Sequence, residues 1–384
     1  MRHTHFLWTI FLSVVVTCQI SGQKLEFQVI TEIHPDQLHG VFITDVDVTS
    51  SGYIAIAIND IAKVQLYNFD GEFINEYGRR GRGPGDFTNL MSVDLTDTIL
   101  YAMDSGPSGR IHAFNRADPG SYRTYVLPRS PHGNPLRMWH MGSEDFLVEF
   151  RPGFTNQNIN EELTSTFGLV TLFGNGEIQT VIENRSNEMF VDQSDGGFSV
   201  SSMPFGRKNF IIPSGTTLYH NWSGEFKIQK IGLDGSEIGS FQPHTGSEHI
   251  EITEEDYRVY FLNELGITRD DDLEDVLRSM SADRSSVLRM RTVQAKLDNR
   301  DKLHNYYPAY KWIAGDQQTL CFGSYTEDIT VNMVTCTDEN GEILGEGALT
   351  SDVTILSQSS EFLAGLRQLE DGLQSVIVYK VIME

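Results

Sequence analysis

Short apolar runs with period-two alternation recur along this chain, separated by glycine, asparagine and aspartate. Residues 43–48, 53–58, 64–68 and 73–77 form a succession of such runs, and 91–95, 99–103, 111–114 and 122–127 repeat it. Alternation of this kind predicts strands with one face buried. Val, Ile, Phe and Tyr fill many of the apolar positions, and these side chains suit a pleated, half-buried surface.

The breaks carry a repeat of their own. Asn68-Phe69-Asp70-Gly71-Glu72-Phe73 is matched by Gly174-Asn175-Gly176-Glu177-Ile178, by Leu233-Asp234-Gly235-Ser236-Glu237-Ile238 and by Asp338-Glu339-Asn340-Gly341-Glu342-Ile343. A degenerate copy lies at Arg116-Ala117-Asp118-Pro119-Gly120. Asp-Gly and Asn-Gly fit tight hairpins because these residues tolerate φ > 0. Gly71, Gly120, Gly176 and Gly235 stand about 50 to 60 residues apart, which accommodates a four-stranded propeller blade. The last unit offers only three runs, at 353–357, 362–366 and 375–381, and then the sequence ends. The run at 25–33 supplies the missing outer strand. The expectation is an all-β, six-bladed β-propeller whose ring is closed by the N-terminal strand, which removes two exposed edges.

The step from Gly235 to Gly341 is longer and holds an insertion at about 248–304, between blades 4 and 5. Thr253 followed by Glu254, Glu255 and Asp256 reads as a capped helix start. Tyr257, Tyr260, Phe261 and Leu265 then fall at helical spacing up to Gly266. Two further helices are expected at 268–280 and 285–297. The segment is too short to bury much core of its own, so it is expected to pack on the rim of the ring.

Composition narrows the partners and the compartment. Hydrophobic residues make up 39% of the 384, enough for a core, while 53 Asp+Glu against 29 Lys+Arg give a net charge of −24. That balance argues against nucleic acid and against an anionic membrane surface. Arg2, the apolar run at 6–16 and the small pair Ser21-Gly22 read as a secretory signal peptide at 1–22, leaving 23–384 as one propeller domain. The protein is thus expected in the periplasm or outside the cell. Lipid anchoring at Cys18 is less well matched, because Thr17 precedes it. No later run is long and apolar enough for a membrane helix. Cys321 and Cys336 remain after signal removal. They fall on the neighbouring runs 319–323 and 331–337, either opposite each other or one place out of register. The first arrangement permits a disulfide and the second forbids it; export permits the bridge.

Positive charge is concentrated after the first blade, where Arg79, Arg80 and Arg82 lead into Gly81-Arg82-Gly83-Pro84-Gly85-Asp86-Phe87. Glycines at this density and a proline make a shaped loop, neither strand nor helix. On this motif the chain resembles bacterial exported six-bladed β-propellers of the NHL/TolB-like kind, many of which carry Gly-x-Gly-Pro-Gly-(Glu/Asp)-Phe after the first blade. The resemblance extends over essentially the whole mature chain and is strongest from 45 to 114. It implies the fold and export, but no single activity, since propellers host binding, lyase, lactonase and scaffold roles.

In such a ring the loop of Arg79, Arg80 and Arg82 shares a face with Asp60, Lys63, Asp104 and Arg110. Guanidinium forks and free backbone N–H groups suit a carboxylate, a phosphate or a sugar. The alternative is that these arginines and aspartates pair with one another and hold neighbouring blades together. Asp45, Asp47 and Asp94 lie on or beside inner strands, where they can face the channel and hold a divalent cation such as calcium. Beyond residue 22 there is no His-x-His or His-Glu-x-x-His, and the chain has no Gly-x-Ser-x-Gly elbow, P-loop or dinucleotide fingerprint. No catalytic residue is therefore named, and no cofactor is expected beyond that cation. The reading is a monomer that binds a small molecule, glycan or protein partner through its loop face and channel. Its alternative is a metal-assisted hydrolase or lyase that uses the channel-mouth carboxylates.

Overall fold

A computed structural model describes residues 23–384 except 107–108, 160, 173–176, 194–196, 244–249, 268–272, 274–275, 278–283, 317, 329 and 370–371. The signal segment at 1–22, the Gly174-Asn175-Gly176 turn and most of the helix expected at 268–280 lie outside the described residues. β1 (Gln23–Ile33) precedes three four-stranded sheets. The first is β2 (Ile43–Val48), β3 (Tyr53–Ile58), β4 (Lys63–Asn68) and β5 (Phe73–Tyr77). The second is β6 (Leu90–Leu95), β7 (Ile99–Asp104), β8 (Arg110–Asn115) and β9 (Asp118–Val126). The third is β10 (Asn134–His140), β11 (Asp145–Arg151), β12 (Thr164–Thr171) and β13 (Ile178–Arg185). A hairpin, β14 (Met189–Asp192) with β15 (Ser199–Ser202), separates it from β16 (Asn209–Ser214), β17 (Thr217–Trp222), β18 (Ile228–Gly232) and β19 (Glu237–Phe241). Helices α1 (Glu254–Leu265) and α2 (Arg284–Asp298) follow. Then come β20 (Trp312–Gly315), β21 (Thr319–Tyr325), β22 (Val331–Asp338), β23 (Ile343–Thr350), β24 (Val353–Ser359), β25 (Phe362–Gln368) and β26 (Gln374–Met383).

The protein is all-β in a propeller arrangement: each four-stranded sheet is an antiparallel meander, ordered as in the sequence. The remaining strands join one eight-stranded sheet in the order β20-β21-β22-β23-β1-β26-β25-β24. Within it β1 runs antiparallel to β26 from Leu25↔Met383 to Ile33↔Val376. It touches β23 only at Gln23↔Gly345 and Lys24↔Glu346. The core sits between neighbouring sheets. Val64, Leu66, Phe87, Leu100 and Phe114, for example, form one buried cluster from the first two sheets and the loop between them.

Two copies of the repeated turn are built by the same local bonds, while in the copy at Gly235 Asp234 Oδ1 accepts from Ser236 N at 2.9 Å. Oδ1 of Asn68 accepts from the amides of Asp70 and Glu72 at 3.0 and 2.9 Å, and Oδ1 of Asp338 accepts from Asn340 and Glu342 at 2.8 Å. Gly71, Gly235 and Gly341 take φ of 77°, 82° and 87°, which a side chain would oppose. The degenerate copy differs. β9 starts at Asp118, so the chain reverses at Asn115↔Asp118, ahead of the Pro119-Gly120 pair. Cys321 and Cys336 are directly opposed across β21 and β22. They form a disulfide with Cα atoms 4.1 Å apart.

The insertion leaves and rejoins the ring at one point. Ile252 N donates to Asn305 O at 2.8 Å and Tyr307 N to Ile250 O at 3.0 Å. Thr253 caps α1 in a capping box with Asp256, and Gly266 ends it at φ 74°. Both features were legible as a capped start and a glycine stop. The β14–β15 hairpin was not expected. Its Phe190 joins Tyr257, Phe261, Leu265, Val293 and Tyr307 in a buried cluster, so the insertion shares a core with a second excursion from the ring. α1 and α2 are further tied by a Lys296–Glu264 ion pair at 2.7 Å, with the lysine side chain fully buried. Among the described residues no helix is long and apolar enough to cross a membrane.

Candidate functional site

The channel is lined by Asp45 and Asp47 from β2, Asp94 from β6, Arg137, Trp139 and His140 from β10, Ile212 from β16, Ala314 from β20 and Ser357 and Gln358 from β24. β2, β6, β10 and β16 are edge strands of their four-stranded sheets, and β20 and β24 are the two edges of the eight-stranded one, so residues on both faces of these strands border the channel. Asp45 Oδ2 accepts from Ser92 Oγ at 2.8 Å and from Val93 N at 3.1 Å, and Oδ1 lies 3.7 Å from the Arg137 guanidinium. Asp47 accepts from Leu95 N at 2.6 Å and Ser357 Oγ at 2.5 Å, and Asp94 from His140 N at 2.9 Å. Burial raises the pKa of all three carboxyls; the charge of Asp94 adds to the rise at Asp47, and that of Asp45 to the rise at Asp94. Among the described residues no three His, Cys, Asp or Glu side chains converge as a metal-binding group.

The charged residues of the loop face lie together at the seam between the first two sheets. Arg79 Nε donates to Asp86 Oδ1 at 2.8 Å, and Gly83 N to Asp86 Oδ2 at 3.0 Å. Arg80 donates to the carbonyls of Asn59 and Asp60 at 3.3 and 2.6 Å. Asp60 itself accepts from the amides of Val41 and Phe42 at 3.1 and 3.0 Å. Lys63 pairs with Glu76. Arg110 donates to the carbonyls of Arg82, Gly83 and Asp86 at 2.9, 3.0 and 3.1 Å and to Asp104 at 2.5 Å. Only Arg82 extends an exposed side chain from the loop without a bond in this network. Burial opposes the charge of Asp104, but Arg110 and the amides of Asn89 and Thr88 outweigh it and hold the carboxyl below its ordinary range. His112 completes the seat. Its Nδ1 lies 3.3 Å from Gly85 N and 2.9 Å from Thr124 Oγ1, and burial, reinforced by Arg110, pushes its pKa down to about 4. A Cβ on Gly78 would come within 2.0 Å of the Phe87 ring, so the close fit of the loop requires glycine there. None of the arginines, Lys63, Asp60 or Asp104 lines the channel or the cavity described next.

A space larger than the channel lies on the same face at the other side of the ring, where sequence reasoning placed no site. A cavity of about 1000 Å³ opens under α1. Its roof is Asp256, Val259, Tyr260 and Asn263 of α1, and its floor comprises Lys208, Lys311, Asn332 and Asp352 at the ends of ring strands. Tyr307 and Tyr325 stack at 4.3 Å on one wall. Phe205 packs edge-on to Tyr307 at 4.9 Å and holds φ of 51°, a left-handed conformation that a bulky residue rarely takes. Burial raises the phenol pKa of Tyr260, Tyr307 and Tyr325, with Asp256 adding to it at Tyr307, so all three keep their protons. The cavity therefore combines the rings of Tyr260, Tyr307 and Tyr325 with the polar side chains of Asp256, Asn263, Lys208, Asn332 and Asp352. Lys208 and Lys311 each immediately precede an inner strand, β16 and β20. That shared position, in Lys208-Asn209-Phe210 and Lys311-Trp312-Ile313, is the one signal in the sequence that could have marked the floor.

No family model matches the chain, and no curated protein does. Solved structures do. A protein of Bacteroides fragilis described as exported shares 12% identity over 95% of this chain and 96% of its own, with a TM-score of 0.50. A member of the DUF4221 family from Bacteroides vulgatus shares 10% identity over 94% of this chain and 99% of its own, with a TM-score of 0.51. At these identities the likeness is one of fold.

Proposed function

We propose that this chain is an exported six-bladed propeller that binds a small ligand in the cavity under α1, at the mouth of its channel. The observation that carries the reading is the cavity itself: about 1000 Å³, lined by aromatic side chains and a small number of polar groups, as small-molecule sites are. Six blades are supported by the channel, to which six inner strands contribute, and by the narrow contact of β1 with β23, which divides the eight-stranded sheet into two sets of four. Export is supported by the leader-like start and by the Cys321–Cys336 bridge, which fits an oxidising compartment. The glycine loop keeps the chain close to the NHL/TolB-like pattern. Arg80 and Arg110 support the binding face as a frame, since they donate to backbone carbonyls within the seam.

The test is a thermal-shift screen of metabolites and oligosaccharides on the mature protein, repeated on Asn263→Trp, which fills the cavity from its roof. A ligand present at a hundredfold excess over its Kd stabilises by about 2.7 kcal/mol. Hits that vanish in Asn263→Trp support the reading. A screen whose hits all persist in that variant, or that yields none, sinks it.

A further inference from the structure

The channel carries a second constellation, independent of the cavity under α1. Arg137 stands on β10 with its side chain 38% exposed. Among the described residues its guanidinium makes no hydrogen bond. The nearest acid oxygen, Asp45 Oδ1, lies 3.7 Å away, beyond hydrogen-bond reach. The Asp45 carboxylate is already supplied by Ser92 Oγ and the amides of Val46 and Val93. Asp47 and Asp94 are the fifth residues of β2 and β6, matching positions on neighbouring blades. Asp47 accepts from Leu95 N and Ser357 Oγ, but Asp94 only from His140 N, through Oδ2. Asp94 Oδ1 keeps its lone pairs, and among the described residues neither acid forms an ion pair. Both are half-buried, with surface left to the channel. Burial and a neighbouring carboxylate raise the pKa of each to about 7, the mark of carboxylates that lack a cation. Trp139, two residues and about 7 Å beyond Arg137 along the strand, gives the same space an apolar wall with Ile212. The space measures about 180 Å³, below the ~300 Å³ at which drug-sized sites begin, so it holds one small molecule.

We propose that the channel binds a free amino acid, whose carboxylate takes the guanidinium fork of Arg137, whose ammonium lies against Asp94 and Asp47, and whose side chain meets Trp139 and Ile212. A guanidinium matches a carboxylate with two parallel hydrogen bonds. An ammonium brings the acid pair a cation and three donors. A molecule with only one of these charges leaves the other channel group unmet. A zwitterion carries no net charge, so the −24 of the chain does not repel it at long range. The selection is made inside the channel.

The experiment is isothermal titration of the mature protein with each standard amino acid and with γ-aminobutyrate. Butylamine and butyrate supply the single charges. The titrations are repeated on Arg137→Met, Arg137→Lys, Asp94→Asn and Asn263→Trp. The expected result is that at least one zwitterion binds about tenfold or more tighter than either single charge. Which one binds reads the spacing between the fork and the acids. Arg137→Met removes that advantage and leaves butylamine unchanged, while Arg137→Lys retains part of it. Asp94→Asn weakens the zwitterion and butylamine together by about tenfold and leaves butyrate unchanged. Arg137→Lys and Asp94→Asn keep the test decisive if Arg137→Met does not fold. Asn263→Trp changes none of these values. No zwitterion preferred over both single charges, no binding of any zwitterion at about 10 mM, or a preference that survives Arg137→Met overturns the proposal. So does an amino acid that Asn263→Trp blocks, since it lies under α1 and leaves the cavity reading standing.

Discussion

Arg110 shows what the buried charges of the loop face do. Its side chain is 13% exposed and that of its partner Asp104 1% exposed, so the pair is taken out of water and must be satisfied by geometry. It is: one guanidinium serves Asp104 and the carbonyls of Arg82, Gly83 and Asp86. Arg110→Met should therefore strand a buried carboxylate and unseat the glycine loop, lowering stability by about 3 kcal/mol in a denaturant melt. A loss below about 0.5 kcal/mol, in the range of surface pairs, would show that the loop holds itself. Because the Asp104 pKa is depressed in the fold, its contribution is present above the unfolded carboxylate range and is lost as pH falls through the folded value. The channel acids have the opposite sign. Asp94 is raised to about 7, by burial first and by Asp45, so the folded state keeps a proton that the unfolded chain sheds near pH 4. Stability then declines between about pH 4 and pH 7 and levels off above. Asp94→Asn keeps an oxygen for His140 N and removes the charge. It should melt higher than wild type at pH 8, by about 1 kcal/mol after screening by channel water, and show little difference at pH 5. Calorimetry at both pH values decides this; a larger gain at pH 5 would mean that Asp94 is held ionised.

At the scale of elements, β1 is the piece that the ring cannot lose cheaply. It covers the length of β26, buries Leu25 and Ile33, and places Glu32 on Arg367 at 2.7 Å and on Ser375 Oγ. A mature chain starting at His34 leaves β26 as a long unpaired edge next to apolar side chains, the condition for edge-to-edge association. It should aggregate or melt far below the full protein. A monomer with an unchanged melting temperature, by light scattering and calorimetry, contradicts this role. The element was legible because the last unit visibly lacked a strand and the start of the mature chain supplied one. The turns were legible for a local reason: Asn68 and Asp338 fold the chain with their own side chains, so the signal is carried within a few residues. Register was not legible. Whether Cys321 faces Cys336 depends on a shift of one residue, which composition does not encode. The cavity was hidden for a different reason. Lys208, Tyr260, Tyr325 and Asp352 come from four separate stretches, and only the closed ring brings them to one place. The arginine loop drew the eye because its charges are contiguous, yet Arg79 and Arg80 are engaged within the seam, on Asp86 and on the carbonyls of Asn59 and Asp60.

Seen as a whole molecule, the protein is a ring with a helical insertion that packs on the β14–β15 hairpin, and the insertion is where binding is proposed. The two ends of the insertion meet at the Ile252–Asn305 and Tyr307–Ile250 hydrogen bonds and the Glu251↔Tyr306 bridge, so the ring connection continues across its base as though the excursion were absent. Among its described residues no strand of a ring sheet comes from inside it. Its buried residues pack mainly on one another and on Phe190 of β14 and Phe205 of the segment before β16. The structural dependence is therefore one-sided: the helices need the ring, and the ring sheets are complete without the helices. Replacing residues 252–305 by a short Gly/Asn turn should leave a strand-rich circular dichroism spectrum and a single cooperative transition. The melting temperature should fall, because Tyr307, Tyr325 and Phe205 become exposed. The cost in loop entropy is small, since closing a long excursion and closing a short one differ only logarithmically. What should disappear entirely is ligand binding, because Tyr260 and Asn263 form the roof and the cavity opens to solvent without them. Two outcomes count against the picture. An excised protein that cannot fold makes the insertion part of the core and not a roof; one that folds and still binds the ligand moves the site to the ring alone, down into the channel.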